Sequence, residues 1–266
     1  MALPLLTRTQ GSYIRELLQE RRVRAAEGVF VVEGTHAVRD LLSGYPEQVR
    51  TIVTTPGYLL KEGRDDGFAR LPASVQQYSC PDFQFSKLSD LEAPQGILAV
   101  VRQPAWDEAA ILQQPMILGI FGEQLQDPVN VGAIIRTAAA LNVCALWLTP
   151  ESADIYHPKV VRSASGTLLA LPIFFTKNGA GLIQHGCQIF TAEVGGPEVV
   201  SIDAIHQAPR KLVVAVGNES RGLSAQIRTQ ATTRFTIPLS RDVESLNVAA
   251  TVAIATFYFS RLPKEK

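Results

Sequence analysis

The sequence predicts an α/β protein of two units, a smaller N-terminal one and a larger one with a mostly parallel, doubly wound sheet. Short apolar runs alternate with helix-length segments along the whole chain. In the second half, runs such as Met116-Ile117-Leu118-Gly119-Ile120-Phe121 are continuous, as strands buried on both faces are. Gln103-Pro104-Ala105 begins a linker that Gln113-Gln114-Pro115 ends, so domains are expected at 1–103 and 115–266 with a linker at 104–114.

Composition narrows the class. A chain of 266 residues suits one large domain or two ordinary ones, and 46% hydrophobic with 19% charged residues describes a soluble globular protein. With 25 basic and 25 acidic residues, any surface for a polyanion must be local. Cys80, Cys144 and Cys187 form no C-x-x-C pair, which fits reduced thiols in a cytoplasmic compartment and argues against structural zinc. His36, His157, His185 and His206 are scattered, so no metal site is expected. Met1 to Leu6 has an early proline and no long apolar run, unlike a signal peptide. No membrane span is expected either.

In chain order, residues 9–24 read as a helix with Ile14, Leu17 and Leu18 at helical spacing and Arg15, Arg21, Arg22 and Arg24 around them. Strands follow at Val29–Val32, Val49–Val53, Ser74–Tyr78 and Ile97–Val101, with a helix beginning near Glu33 and helical turns at Gly57–Lys61 and Phe83–Leu88. The second unit offers strands at Met116–Phe121, Cys144–Leu148, Pro172–Phe175, Cys187–Val194, Lys211–Val216 and Arg234–Ile237. Helices are expected at Asn130–Leu141 and Lys159–Ser165, and from Leu246 to Phe259. The last is apolar almost all round, which marks a buried element. Ser245 is its expected cap. Ligands in doubly wound sheets bind at the carboxyl ends of strands, where the loops after Phe121, Val194, Gly217 and Ile237 lie.

Three of those loops carry candidate chemistry. In Asp127-Pro128-Val129-Asn130-Val131-Gly132-Ala133-Ile134-Ile135-Arg136, Asn130 is a candidate N-cap. Arg136, just under two turns later, is read as projecting from nearly the same face, a pair suited to phosphate or hydroxyl. Gly217-Asn218-Glu219-Ser220-Arg221-Gly222-Leu223 imitates a nucleotide-triphosphate loop, but Leu223 stands where the lysine should be, and that reading fails. No G-x-G-x-x-G follows a strand, which disfavours a dinucleotide dehydrogenase. The loop instead sets Glu219 at a strand end. In the third, Ile237-Pro238-Leu239 and Leu246 make an apolar wall suited to a purine, beside Ser245 and Asn247.

Together and in order, N-V-G-A-I-I-R-T-A, G-N-E-S-R-G-L-S and I-P-L-x4-E-S-L-N-V-A resemble the three motifs of the SpoU (TrmH) family of RNA ribose 2′-O-methyltransferases, within the SPOUT superfamily. The resemblance covers roughly Pro115 to Arg261, and Pro158 to Thr167 is similar to the helix between the first two motifs. Phe30-x-x-Glu33-Gly34 and Pro94-Gln95-Gly96-Ile97 are similar to a ribosomal-protein-like (L30e-like) RNA-binding domain fused to many members. Arg241 stands where the third motif often has glycine, and Ser220 where the second does.

The resemblance implies a C-terminal sheet closed by a deep trefoil knot, a bent S-adenosylmethionine in the knot loops, and a homodimer. It assigns catalysis and substrate binding to Asn130, Arg136, Glu219, Ser245 and Asn247. It places the cofactor among Thr191, Glu193, Val194, Gly195, Gly217, Asn218, Glu219, Ile237, Leu239, Leu246, Asn247 and Val248. On this reading Arg136 orients the ribose hydroxyl while Glu219 and Asn130 hold the arginine. Members with such an N-terminal domain mostly act on large-subunit (23S) ribosomal RNA. The alternatives are a tRNA ribose methylase and an RNA-binding protein without catalysis, which failure to bind S-adenosylmethionine would favour.

Overall fold

The arginine-rich stretch expected as one helix over 9–24 is two, Arg8–Gln19 (α1) and Arg21–Glu27 (α2). Glu20 adopts an extended backbone between them. Arg24 supplies the reason. Its side chain is buried and donates from Nη1 to the carbonyls of Leu17 (2.6 Å) and Leu18 (3.2 Å), which the interrupted helix leaves unpaired. This is a computed structural model, and it describes residues 3–62, 68, 71–241 and 243–265. Asp242 of the third loop lies outside the described residues.

The chain divides into Met1–Ala105 with Asp154–Leu169, and Trp106–Ala153 with Ala170–Lys266. In the first unit, strands Val29–Glu33 (β1), Val49–Thr54 (β2), Gln76–Ser79 (β3) and Ile97–Arg102 (β4) form a sheet of order β1-β4-β2-β3. β4 runs antiparallel to both neighbours, and β2 runs parallel to β3. The helices Thr35–Gly44 (α3), Pro56–Glu62 (α4) and Asp82–Leu88 (α5) connect them. Ile14, Leu17 and Leu18 pack on Val31, Val53, Leu98 and Val100. The returning segment 154–169 is fixed to this unit by Asp154, which accepts from Arg24 at 2.6 Å, and by Tyr156, whose ring lies 5.0 Å from that of Phe30.

The expected linker is not all extended. Asp107 caps a short helix, Glu108–Leu112 (α6), by accepting from the amide of Ala110. Glu108 accepts from the indole N–H of the fully buried Trp147 at 2.7 Å, which ties this helix into the second unit.

The second unit begins with Ile117–Gly122 (β5), Pro128–Ala140 (α7) and Ala145–Leu148 (β6); Pro158–Ala164 (α8) follows on the segment that returns to the first unit, and Ile173–Phe175 (β7) resumes the second. Ala180–Gln184 (α9), Gln188–Ala192 (β8), Val199–Ser201 (β9), Lys211–Val216 (β10), Ala225–Gln230 (α10), Thr233–Thr236 (β11) and Val248–Arg261 (α11) follow. The seven strands are all parallel, in the order β7-β6-β5-β10-β8-β11-β9. The order turns back between β5 and β10, so the loops after Gly122 and Val216 open side by side at the switch point. β9 was not expected from the sequence. It is three residues long, lies at the sheet edge beyond Gly195-Gly196-Pro197, and has no continuous apolar run to betray it.

Among the described residues no helix is long and apolar enough to cross a membrane. Cys80, Cys144 and Cys187 are free thiols.

Candidate functional site

The loop after β5 is set by side chains of its neighbour. Thr149 Oγ1 accepts from the amide of Gln124 at 2.8 Å, and Ser152 Oγ accepts from that of Leu125 at 3.2 Å. Asp127, not Asn130, caps α7, accepting from the amide of Val129 at 2.9 Å with Pro128 in the first turn. Asn130 is therefore already helical, points inward and is buried. Arg136 is exposed and makes no hydrogen bond or ion pair among the described residues. The expectation of a shared face fails on helix geometry: six residues at about 100° each leave the two side chains about 120° apart. Glu219 and Asn130 thus do not hold Arg136; they hold each other.

Asn130 Nδ2 donates to Glu219 Oε1 at 3.1 Å, and Asn130 Oδ1 accepts from Asn247 Nδ2 at 2.8 Å. Asn247 in turn caps α11, its Oδ1 accepting from the amides of Ala249 (2.8 Å) and Ala250 (3.4 Å). The helix cap sets the direction of the whole chain of bonds. Because Asn247 Oδ1 faces helix amides, its Nδ2 must donate to Asn130, whose own Nδ2 is then left for Glu219. Three loops from distant parts of the sequence meet in this chain. The predicted cap Ser245 is exposed two residues upstream, and no hydrogen bond of its side chain exists among the described residues.

The second loop is a tight reversal in which Gly222 donates its amide to the carbonyl of Asn218 at 2.9 Å. Gly217 is required there: a Cβ would stand 2.3 Å from the backbone carbon of Gly222. Asn218 is a brace, with Oδ1 accepting from the amides of Ser220 and Arg221 and Nδ2 donating to the carbonyl of Gln124 at 2.9 Å. Glu123 was missed by the sequence reading. Buried at the end of β5, it accepts from the amide of Ser224 at 2.7 Å and so joins the first two loops. A carboxylate closing a continuous apolar run was the available signal.

Thr191 is fully buried and donates to Glu193 Oε1 at 2.9 Å. Arg234 grips the same carboxylate in a fork, Nε to Oε1 at 2.9 Å and Nη2 to Oε2 at 2.7 Å. These bonds hold the Glu193 carboxyl below its usual range against the opposing effect of burial, with Thr191 and Arg228 adding to the depression. The Glu193 side chain is thus committed to the protein, and only its backbone is available to a ligand. A cavity of about 350 Å³ opens beside it, lined by Glu193, Val194, Gly195, Gly222, Leu223 and Arg228 among others. Gly217, Ile237, Leu239, Leu246 and Val248 lie outside that lining.

The expected S-adenosylmethionine fits this end of the sheet. A purine needs open apolar surface, and Val194 (75% exposed) and Leu239 (39%) present it in the loops after β8 and β11. Gly195, at φ +155°, has no atom within 4 Å of where a Cβ would stand, so backbone is bare on that side. Ile237 and Leu246 are half-buried, and Val248 is buried. Among the described residues no group of three or more His, Cys, Asp or Glu could hold a metal ion.

Comparison with known proteins gives the same picture from outside. The SpoU rRNA methylase family model matches residues 118–257, and an MRM3-like substrate binding domain matches residues 13–99. The chain is 30% identical to a 23S rRNA (uridine(2479)-2′-O)-methyltransferase of Streptomyces viridochromogenes, over 91% of this chain and 85% of that protein. It is 26% identical to the 23S rRNA (guanosine(2553)-2′-O)-methyltransferase RlmP of Bacillus subtilis, over 91% and 92%. Its fold superposes on the SpoU methyltransferase AviRb of S. viridochromogenes, solved in complex with AdoMet, with a TM-score of 0.83 at 25% identity, covering 96% of this chain and 98% of that one.

Proposed function

We propose that this chain, which belongs to the SpoU rRNA methylase family, transfers a methyl group from S-adenosylmethionine to a ribose 2′-hydroxyl of large-subunit ribosomal RNA. The observation that carries the reading is the bond chain Asn247–Asn130–Glu219, which joins the three loops at the switch point. The trefoil knot is implied by the shared fold. Relatives named as 23S rRNA 2′-O-methyltransferases match over almost the full length, which supports ribosomal RNA above tRNA.

When bound, the cofactor supplies an electrophilic methyl on sulfur. The protein's part is to hold the ribose oxygen in line with it, and positioning of that kind can provide most of the acceleration. Arg136, unpaired within the described residues, offers its planar fork to the phosphate and 2′-hydroxyl of the target nucleotide, favouring the oxygen as its charge grows. Glu219 is fixed through Oε1 by Asn130, leaving Oε2 for the substrate. Ser245, exposed two residues before Asn247, joins the substrate contacts. The loop backbones at Glu193–Gly195, Gly217 and Ile237–Leu239 receive the cofactor, with Leu246 and Val248 behind the purine.

Residues 1–103 serve as the RNA-gripping domain and 115–266 as the transferase. The enzyme works as a homodimer: Ile254 and Phe257 of α11 are 42% and 52% exposed, an apolar face that a second copy would cover. A cytoplasmic location accords with free thiols and a ribosomal substrate. The test is incubation with tritium-labelled methyl donor and a mixture of 23S RNA, 16S RNA and tRNA. Label in 23S RNA supports the proposal. Label in tRNA alone selects the tRNA alternative, and no label in any RNA favours a binding protein without catalysis.

A further inference from the structure

The cavity beside Glu193 is lined by a guanidinium whose donor edge the fold does not use. Ser224 accepts from the amide of Ile227 at 3.3 Å and so starts α10, and the fully buried Ile227 anchors that helix. Arg228, about 100° further round, is therefore turned outward and lines the cavity. Its side chain is 44% exposed. Nη2 lies against the second loop, 3.5 Å from where a Cβ on Gly222 would stand.

Arg228 has an ion-pair partner but adds little to it. Its Nε sits 3.6 Å from Glu193 Oε2, beyond hydrogen-bond distance. That carboxylate is already taken, by Thr191 and Arg234 Nε on Oε1 and by Arg234 Nη2 on Oε2. Among the described residues the Arg228 guanidinium makes no hydrogen bond, so its Nη edge beside Gly222 is available to a ligand. Arg228 and Arg234 against Glu193 also leave one positive charge over in the lining. Glu198 lies 3.8 Å from Arg234 but is 84% exposed, where water screens it. The rest of the lining, residues 194–197 with Ala192, Gly222 and Leu223, is apolar surface or bare backbone.

We propose that Arg228 binds the carboxylate of the methionine half of S-adenosylmethionine and so fixes which way the cofactor lies. The inference rests on the S-adenosylmethionine-dependent reading above. The carboxylate is the cofactor's one anionic group, and a guanidinium edge matches it with two parallel N–H···O bonds. The cofactor's other charges, an ammonium and a sulfonium, are cations, which surplus positive charge repels. One side chain thus favours a single orientation, carboxylate toward α10 and sulfonium away from it. The uncharged adenosine half is left to the apolar walls and loop backbones. Because Arg228 is half exposed, the pair should be worth about tenfold in affinity, the low end for hydrogen bonds to a charged group.

Titration calorimetry on the full chain tests this with two probes. One is S-adenosylhomocysteine; the other, S-adenosyl-3-thiopropylamine, keeps the adenosine, sulfur and ammonium but lacks the carboxylate. Wild type should prefer S-adenosylhomocysteine by about tenfold or more. Arg228→Gln should weaken S-adenosylhomocysteine about 10-fold and leave the amine unchanged or slightly tighter, because a repelling cation is gone. Arg228→Lys, which keeps the charge without the fork, should fall between. Both variants should melt within about 2 °C of wild type, since the contact with Glu193 is loose. Equal weakening of both probes would make Arg228 a support of the loops and overturn the proposal. Unchanged binding of S-adenosylhomocysteine by Arg228→Gln would sink this inference alone, whereas a wild type that binds neither probe would sink the methyltransferase reading with it.

Discussion

At the scale of single residues, the site contrasts a buried, bonded asparagine with an exposed, unbonded arginine on one helix. Arg136→Lys keeps the charge but loses the planar fork, so kcat should fall by about 10²-fold. Cofactor affinity and thermal stability should be unchanged, because the side chain has no partner among the described residues. Single-turnover kinetics with calorimetry checks this, and near-normal activity would show that a point charge suffices. Glu193 gives a pH prediction. Its folded pKa is depressed below the ordinary 4.5 chiefly by Arg234, so its contribution to stability is present above that value and lost as pH falls through the lower folded value. Glu193→Gln should therefore melt below wild type by a constant margin at neutral pH, and the margin should close under acid. A margin independent of pH would contradict the assignment. The motif letters made Asn130, Arg136 and Glu219 visible in the sequence. Which of them touch was not visible, because a face shared along one helix depends on an angle, while the Asn130–Glu219 bond joins positions 89 apart.

At the scale of elements, strand and helix existence was legible wherever apolar periodicity was long, as in β5, β10 and α11. Boundaries set by side-chain caps were not. Ser245 was the chemically reasonable cap for α11, yet Asn247 caps it, because Asn130 is within reach to take the second half of its amide. The helices on either side of Glu20 read as one because Arg24 alone, by turning inward onto α1 carbonyls, makes the break. Asn247 therefore has two separable duties. Asn247→Asp retains an acceptor for the helix amides but cannot donate to Asn130, so its melting temperature should stay near wild type while methyl transfer drops. Asn247→Ala loses the cap as well, about 1 kcal/mol, and should melt about 2–4 °C lower. Equal activity in wild type and Asn247→Asp would show that the bond chain is dispensable.

At the scale of the whole molecule, the two α/β units and the parallel sheet followed from the alternation of elements. A knot could not follow from periodicity, which carries no information on threading. Nor did the sequence foretell that Asp154–Leu169 would group with the N-terminal unit, since that grouping hangs on Arg24 and Asp154, 130 positions apart. The exposed apolar face of α11 carries the oligomer prediction. Wild type should sediment as a dimer and Phe257→Glu as a folded monomer. A monomeric wild type would remove the need for a second copy. The reaction itself is tested most directly by alkaline digestion of 23S RNA after incubation with enzyme and labelled methyl donor. A ribose 2′-O-methyl group blocks cleavage of the adjacent phosphodiester, so the label should be recovered in a single alkali-resistant dinucleotide. Label recovered only in mononucleotides would place the methyl on a base and contradict ribose methylation.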